Sequence, residues 1–345
     1  MCHEPISCVL PPYILGAIAQ NGTSEQRAWA LGVLACDAGL RETRSRTPAR
    51  STAADVVRRR TPVRAIFDAA GSAAQPPTGR KLRGEGDQPT GDAAADEAYD
   101  GLGATYDLYL ETYDRDSIDG AGLELDAYVH FGKAYANAFW DGARMVFGDG
   151  DGRVVRRMTK SVDVIGHELT HGVISAEAGL VYRGQSGALN ESIADAFGSL
   201  VKQRIRGETA EHADWLIGEG VFADGIKARA LRSMLEPGTA YDDPLLGRDP
   251  QPSTFNDYRE TAEDNGGVHL NSGIPNRAFA LAATRLGGPA WEGVGRVWYA
   301  ALRHEELSPT SGFAAFAELS SRVAGDVLGR DGAAAVSDAW REVGL

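Results

Sequence analysis

Two hydrophobic patterns follow one another along the chain. From Val63 to about residue 152, apolar residues form short runs separated by turn residues, as in VRAIFDAAG, LELDAYVHFG and AYANAFWDGARMVFGDGDG. Such runs predict β-strands. After Ser161 the apolar positions recur at helical spacing, as in VDVIGHELTHGVIS, ALNESIADAFGSLVKQ and SGIPNRAFALAATRL. The order predicts an α+β fold with a β-rich lobe over 61–175 and a mainly α-helical lobe over 176–345.

The residues before these lobes have a different character. The apolar run 9–15 is predicted to be extended, and the apolar positions of 24–40 recur at helical spacing. The stretch 41–60 is rich in Arg and poor in apolar residues, which is typical of an exposed linker. We therefore predict a separate N-terminal segment, 1–50, followed by an Arg-rich linker. Within the first lobe, the Ala-, Gly-, Pro- and Asp-rich sequence at 70–95 predicts loops.

The chain of 345 residues has a formal net charge of −13, and the acidity lies in the two lobes. Residues 1–50 hold five Lys or Arg and four Asp or Glu, which leaves 30 basic and 44 acidic residues for the rest. An acidic surface repels phosphate backbones and anionic lipid headgroups. We therefore expect no nucleic-acid or membrane partner, and no run approaches the roughly 18 apolar residues of a spanning helix.

The three cysteines, Cys2, Cys8 and Cys36, all precede residue 50, so the lobes can contain no disulfide. The stability of the two lobes must therefore come from packing and from bound metal. The N-terminus, MCHEPISCVLPPYILGAIA, has the acidic Glu4, no basic start and paired prolines within its apolar run. This is not the pattern of a cleavable Sec signal. We expect synthesis in the cytoplasm, with signal-independent secretion left open.

A metal-ligand motif lies on the predicted helix after Val162. His167, Glu168 and His171 form HExxH, and the spacing of four residues places both imidazoles on one helical face. Both can therefore reach one metal ion. Glu168 lies beside them, where a carboxylate can take the proton of water at the metal.

A catalytic zinc needs a third protein ligand and one open position. Glu191 stands twenty residues after His171 and shares a helical face with Asp195. Asp195 is then placed to accept a hydrogen bond from a ligand imidazole and to fix its tautomer. The alternative is that both acids lie on a solvated helix face, which the apolar neighbours Ile193 and Phe197 make less favourable.

Four sequence blocks, in order, resemble the thermolysin family of metallopeptidases. They are YANAFWDGARMVFGDGDG, HELTH, LVYRGQSGALNES and EDNGGVHLNSGIPN. The resemblance covers roughly 62–345. It implies a two-lobed metalloprotease fold with the zinc helix between the lobes, and a neutral zinc endopeptidase that cuts before bulky apolar residues. Peptides and proteins are the implied substrates, and we expect a monomer.

The resemblance also implies a role for individual side chains. One zinc ion is held by His167, His171 and Glu191, and Glu168 is the general base. Hydrogen-bond donors are needed where the substrate oxygen gains charge. The family positions that supply these donors match Tyr182 and His269, and the position that holds the histidine matches Asp264. The positions that bind the substrate backbone match Asn137, Ala138 and Arg232. The apolar pocket for the side chain after the cut bond matches Val164, Ile217, Val221 and Leu231.

Members of the family often carry a double calcium site near the zinc helix. Asp163, Asp214 and Glu219 match its acidic positions, but Lys202 and Leu216 stand where calcium-rich members have acids. A lysine ammonium can neutralise the remaining carboxylates. We therefore predict that the double calcium site is lost and that Lys202 pairs with some of these acids, with calcium elsewhere left open.

The short N-terminal segment resembles that of the protealysin-like branch, where a propeptide of about this size carries a Pro-Pro motif. Pro11, Pro12 and Tyr13 match the motif, and two prolines favour an extended backbone suited to lying along the cleft. The resemblance thus implies inhibition by the chain's own propeptide in cis. Cys8 is close enough to act as a zymogen switch by binding zinc through its thiolate. Alternatively, Cys8 is a small apolar residue that packs the arm.

Two other functions were weighed. A zinc aminopeptidase also uses two His and a downstream Glu, but its usual spacing to that Glu is one residue shorter, and its N-terminus-binding Glu motif is not found. A degenerate peptide-binding module predicts the loss of Glu168 or His269, and both are present. The metalloendopeptidase interpretation is therefore favoured.

Overall fold

The first lobe is built on one mixed β-sheet. A computed structural model describes residues 8–44 and 60–345. The sheet runs antiparallel, parallel, parallel and antiparallel from one edge to the other. In spatial order its strands are β2 (Arg80–Gly84), β1 (Arg64–Asp68), β3 (Leu125–Val129), β5 (Met145–Phe147) and β4 (Ala138–Trp140). β4 therefore forms an edge of this sheet, facing the cleft described below.

A long helix, α3 (Ala93–Tyr113), lies between β2 and β3 in the sequence. The sequence analysis missed α3 and predicted only loops up to residue 95. Asp92 caps the helix by accepting from the amides of Ala94 and Ala95. The buried face of α3 consists mainly of tyrosines and small residues, so its apolar stripe is weak by hydropathy alone.

The second lobe is helical, as the periodicity after Ser161 predicts. Two short antiparallel strand pairs lie in one connection between two of its helices: β6 (Leu216–Ile217) with β7 (Arg232–Ser233), and β8 (Asp242–Asp243) with β9 (Gly247–Arg248). None of the helices within the described ranges is both long and apolar enough to cross a bilayer. The helices are α4 (Val162–Glu177), α5 (Gly184–Arg206), α6 (Asp264–Asn271), α7 (Gly273–Leu286), α8 (Val294–Leu302) and α9 (Phe313–Glu342).

α4 and α5 cross at very short distance. A Cβ atom on Gly198 of α5 would lie 2.4 Å from the carbonyl oxygen of Asp163 and 3.1 Å from the amide nitrogen of His167. Only glycine fits at such an approach. The crossing brings the side chains that follow His167 on α4 against those of the first turns of α5.

The N-terminal segment packs on both lobes as two helices, α1 (Pro12–Asn21) and α2 (Ser24–Arg44). The prediction of an extended run over 9–15 is wrong from Pro12 onward. Pro11 keeps an extended backbone, whereas Pro12 begins α1. Proline is favoured in the first turn of a helix because it lacks only the backbone N–H, and the first N–H groups of a helix have no acceptor within it. α2 also continues through the first residues of the predicted linker, and 45–59 lie outside the described residues.

Candidate active site

Three potential metal ligands meet where α4 crosses α5. The Nε2 atoms of His167 and His171 lie 3.0 Å apart. Glu191 Oε2 lies 3.5 Å from His167 Nε2, and Glu191 Oε1 lies 3.5 Å from His171 Nε2. All three side chains are buried. Over the ranges 8–44 and 60–345, these residues are the group of His, Cys, Asp and Glu side chains placed to hold one metal ion.

The far sides of both imidazoles are already hydrogen-bonded. His167 Nδ1 lies 2.8 Å from Asp195 Oδ1, and His171 Nδ1 lies 2.8 Å from Asn190 Oδ1. With a proton on each Nδ1, the two Nε2 lone pairs point at each other, which is favourable only with a cation between them. Asn190 was missed by the sequence analysis, although it directly precedes Glu191.

The protonation states fit a zinc site. Burial lowers the pKa of His171 to about 3, so its imidazole is neutral and can bind a metal. Burial raises the pKa of Glu191, but the three imidazoles of His269, His171 and His167 lower it more, so the carboxylate stays ionised. Its Oε2 atom is buried without a hydrogen-bond partner among the described residues. Two imidazoles and one carboxylate are a donor set typical of catalytic zinc.

Glu168 lies on α4 next to the ligand pair and is completely buried. Its Oε2 accepts a hydrogen bond from the backbone amide of Trp140, 3.2 Å away. Burial and, after it, the charge of Glu191 raise the pKa of Glu168 well above its usual value. A carboxylate whose proton affinity is raised in this way is suited to accept a proton from water.

His269 approaches the site from α6 and is held by Asp264. The His269 Nδ1 atom lies 2.7 Å from Asp264 Oδ1, while Asp264 Oδ2 accepts the backbone amide of His269 at 2.9 Å. Burial lowers the pKa of His269, but Asp264 and Glu191 outweigh it and raise the pKa to about 9. Tyr182 donates to Glu191, and its hydroxyl lies 3.4 Å from His269 Nε2. Two donors therefore flank one face of the metal position.

Asp195 joins the metal position to the edge of the cleft. Besides His167, it accepts two hydrogen bonds from Arg232, at 2.8 and 2.7 Å, and one from Asn276 at 2.8 Å. Burial raises the pKa of Asp195, but Arg232 and His167 outweigh it and hold the pKa below its usual range. Asp195 therefore remains charged in the protein interior.

The residues predicted to bind substrate are all buried and lie on several elements. Asn137 precedes Ala138, the first residue of the edge strand β4. Ile217 in β6 pairs with Arg232 in β7. The residues predicted to form the apolar pocket are fully buried, and they are Val164, Ile217, Val221 and Leu231.

The predicted calcium position is filled by protein cations. Lys202 Nζ lies 3.1 Å from Asp163 and 2.7 Å from Asp214, and it donates to the backbone oxygen of Leu216 at 2.6 Å. The predicted pairing of Lys202 with these acids is thus observed. Arg206, which the sequence analysis missed, binds Asp214 at 2.9 Å and reaches the remaining acid, Glu219, at 2.8 Å.

The N-terminal segment covers the metal position with its backbone. The carbonyl oxygen of Cys8 lies 2.9 Å from His269 Nε2, and Cys8 is buried. The potential metal-binding group found within the described ranges does not include the Cys8 thiol. Pro12 and Tyr13 form the first turn of α1 and therefore do not extend along the cleft.

Comparison with known proteins agrees with this geometry. The family described as "Thermolysin metallopeptidase, catalytic domain" matches residues 65–175, and "Thermolysin metallopeptidase, alpha-helical domain" matches residues 178–345. An extracellular metalloprotease of Pectobacterium carotovorum subsp. carotovorum is 49% identical over 345 residues, which are 100% of this chain and 98% of that protein. Protease PrtS of Photorhabdus sp. (strain Az29) is 46% identical over 341 residues, 98% of this chain and 91% of that protein.

A solved structure is also similar over nearly the whole chain. The precursor of protealysin, a metalloproteinase from Serratia proteamaculans, superposes with a TM-score of 0.88 at 50% identity, covering 98% of this chain and 99% of that one. That similarity includes the N-terminal segment. The chain belongs to the thermolysin metallopeptidase family and is a zinc-dependent metalloendopeptidase made as a precursor.

Proposed function

We propose that the mature enzyme hydrolyses peptide bonds on the N-terminal side of bulky apolar residues. The observation that carries this proposal is the chain of contacts from the metal ligands to buried apolar residues: His167 bonds to Asp195, Asp195 to Arg232, and Arg232 pairs with the fully buried Ile217. An apolar side chain gains roughly 1.5 to 3 kcal/mol on full burial, enough to select the residue after the cut bond. β4 is an edge strand of its sheet, and once the N-terminal segment has left, an extended peptide can pair with it.

The proposed mechanism uses each buried group of the site once. Zinc bound by the three ligands supplies a Lewis acid that polarises the scissile carbonyl and acidifies water. Glu168 takes a proton from the attacking water and delivers it to the leaving nitrogen. Tyr182 and His269 donate hydrogen bonds to the oxygen that gains negative charge, and Asp264 keeps His269 oriented and protonated. Water adds to the carbonyl carbon, and the C–N bond breaks.

Residues 1–50 act in this proposal as an inhibitory propeptide, followed by a linker to about residue 60 that is cut to release it. The support is the contact of Cys8 with His269 and the packing of α1 and α2 over both lobes. The catalytic lobes would then be 61–175 and 176–345. In this arrangement the substrate cleft is closed until the linker is cut.

We further propose that the double calcium site is absent. Lys202 and Arg206 supply two positive charges to the three carboxylates that remain at that position. Burial lowers the pKa of Lys202, but Asp163 and Asp214 raise it more, so the ammonium stays charged. The protein's own cations thus offset two of the three negative charges without a metal.

The place of action is inferred from the relatives. The Pectobacterium protein is named an extracellular metalloprotease, and we propose that this chain too acts outside the cell, as a monomer. Secretion without a Sec signal is tested by expressing the full chain in a host and comparing culture medium with cells. Light scattering of the purified protein tests its mass.

The decisive experiment compares the wild-type chain with Glu168→Gln. We expect the wild type to cut its own linker and to digest casein, and both activities to disappear with a zinc chelator and return with zinc. Glu168→Gln should retain about one zinc per chain and lack both activities. Mapping the cut sites by mass spectrometry should place Leu, Ile or Phe directly after the cut bond. Cuts after Arg or Lys, or only at free N-termini, would refute the proposal.

A further inference from the structure

Lys202 is a buried ammonium group that the proposed mechanism does not use. Its Nζ atom lies 3.1 Å from Asp163 Oδ2, 2.7 Å from Asp214 Oδ1 and 2.6 Å from the carbonyl oxygen of Leu216. An ammonium has three N–H donors, so each of these acceptors can take one of them. The side chain of Lys202 is 3% exposed and that of Asp163 is 0% exposed. The ion pair of Lys202 with Asp163 is therefore held in the protein interior.

The same ion pair is bonded to the backbone on both sides of Ile217. The carbonyl oxygen of Leu216, the residue before it, accepts from the ammonium, as described above. The amide of Gly218, the residue after it, donates to Asp163 Oδ1 at 3.1 Å. The Leu216 amide is also bonded, to Asp214 Oδ1 at 2.9 Å. Charged side chains of α4 and α5 thus hold β6 in place against both helices.

The residues predicted to form the apolar pocket are linked to this ion pair by short connections. Val164 lies one residue after the acid of the pair, on α4. The Ile217 carbonyl oxygen accepts from the amide of Leu231 at 2.9 Å. The Gly218 carbonyl oxygen accepts from the amide of Val221 at 3.3 Å. A Cβ atom on Gly218 would lie 2.6 Å from Leu231 Cγ, so the loop backbone packs directly on a pocket side chain.

We propose that Lys202 is a positioning residue for substrate specificity. Its ion pair with Asp163 sets the position of β6 against the zinc helix α4, and so sets the shape of the pocket for the side chain after the cut bond. The inference rests on the proposed function, which assigns that pocket to the substrate. Lys202 acts through Asp163 and through the backbone of Leu216 rather than by touching the substrate.

Arg206 provides an internal comparison on the same helix. It binds Asp214 and Glu219, at 2.9 and 2.8 Å, and its side chain is 41% exposed. The cluster therefore has an inner ammonium that is bonded to the backbone of β6 and an outer guanidinium that is bonded to acids nearer the surface. The inner cation is part of α5, so the pocket keeps its shape without a bound metal ion. Replacing each cation in turn separates the effect of charge from the effect of the bond to β6.

The test measures substrate preference in variants of the full, zinc-loaded chain that are activated in the same way. The stretch 41–60 contains several arginines, so trypsin can cut it in every variant and is then inhibited. Two fluorogenic peptides differ only in the residue after the cut bond, which is Leu or Ala. The ratio of their kcat/KM values reports the pocket. Zinc content and melting temperature are measured on the same samples, and mass spectrometry checks that the lobes are intact.

We expect Lys202→Met to lower this ratio at least about fivefold, mainly through a higher KM for the Leu peptide, because a displaced pocket loses contacts with that side chain. The Ala peptide fills little of the pocket and should change least. Lys202→Gln keeps two donors for the three acceptors, so its ratio should lie between those of wild type and Lys202→Met. The matched control is Arg206→Met, which removes a cation from the same cluster and should leave the ratio unchanged.

A wild-type ratio in both Lys202 variants, together with a lowered melting temperature, would overturn the proposal, since Lys202 would then have a purely structural role. An equal loss of the ratio in Arg206→Met would also overturn it, because the charge of the cluster and not the bond to β6 would then control the pocket. Failure of the proposed function is visible in the wild type itself, which would show no preference for Leu. Where Lys202→Met does not fold, the comparison of Lys202→Gln with Arg206→Met decides the question.

Discussion

Asp195 holds Arg232 through two parallel hydrogen bonds, from Nε at 2.8 Å and from Nη2 at 2.7 Å, and both side chains are completely buried. The same carboxylate accepts from His167. One ionised group therefore orients the metal ligand His167 and the guanidinium that we propose binds the substrate backbone. Metal binding and substrate binding are predicted to weaken together when this group is changed.

We expect Asp195→Asn to lower zinc affinity about 10- to 100-fold, because the amide fixes the His167 tautomer less well. It should also lower the free energy of unfolding by about 3 kcal/mol, since Arg232 loses its buried counter-charge. Zinc affinity is measured by chelator competition and stability by urea titration. Asp338→Asn, which removes an exposed partner of Arg341, is the control and should change neither value.

The metal centre was predictable from sequence because its signals are local. The HExxH spacing places His167 and His171 on one face of a helix, and the helical periodicity around Glu191 makes the third ligand visible. Asn190 and Arg206 were missed for a different reason. Each acts on a partner that only the fold brings near, and polar residues on a helix carry no mark of such a partner.

Helix α3 was missed because its composition resembles a loop. It begins in an Ala- and Asp-rich stretch, and its core contacts come from Tyr99, Tyr106 and Tyr109, whose hydroxyls weaken the apolar pattern. β2 was missed because it is an edge strand with charged side chains. The start of α1 was misjudged because the Pro-Pro pair was taken as extended, although Pro12 is well suited to the first turn of a helix.

Asp37 anchors the propeptide to the substrate-binding edge. It accepts from the Tyr135 hydroxyl at 2.6 Å and from Asn137 Nδ2 at 3.1 Å, and it is 3% exposed. We expect Asp37→Ala to raise the activity of the uncut precursor at least about tenfold, because two buried donors lose their acceptor. Initial rates on a short peptide measure the effect. Glu25→Ala, which breaks an exposed pair with Arg153, should leave the rate unchanged.

His130 is predicted to stabilise the folded state to an extent that depends on pH. It lies between Asp92 and Asp149, at 2.9 and 2.8 Å, and Arg156 and Arg157 line the same cavity. Burial lowers the pKa of His130, but the two carboxylates raise it above the usual 6.5. Its contribution to stability is therefore full below pH 6.5 and is lost as the pH rises through the higher pKa of the folded state.

The corresponding measurement is the melting temperature of wild type and His130→Gln between about pH 6 and 9. The difference in melting temperature should be largest at the lowest pH and should shrink as the pH rises. The corresponding difference in the free energy of unfolding should stay below about 1 kcal/mol because the site is partly exposed. A difference that grows with pH would contradict the assignment. His212→Gln, at an exposed histidine elsewhere on the second lobe, is the control.

Replacing Cys8 separates two explanations of latency. The Cys8 carbonyl, not a bond from its sulfur to the metal group, connects the residue to the site. We therefore expect Cys8→Ser to keep the precursor latent within about twofold, since serine preserves the backbone hydrogen bonds. A precursor that becomes fully active on this change would instead support the hypothesis that the Cys8 thiolate keeps the precursor latent by binding zinc. Zinc content of the purified precursor, measured alongside, shows whether the metal site itself was affected.

Lys202 provides the sharpest test of the proposed loss of the double calcium site. The melting temperature of the zinc-loaded wild type should be the same with added calcium as with a calcium-selective chelator, because the ammonium already lies between Asp163 and Asp214. Lys202→Met should lower the free energy of unfolding by about 3 kcal/mol, since it leaves two carboxylates without this counter-charge. Lys202→Glu adds a third carboxylate at the same point, and oxygen ligands in such numbers favour calcium. We therefore expect calcium to raise the melting temperature of Lys202→Glu and not that of Lys133→Glu, an exposed control. A wild type stabilised by calcium to the same extent as Lys202→Glu would show that a calcium site survives.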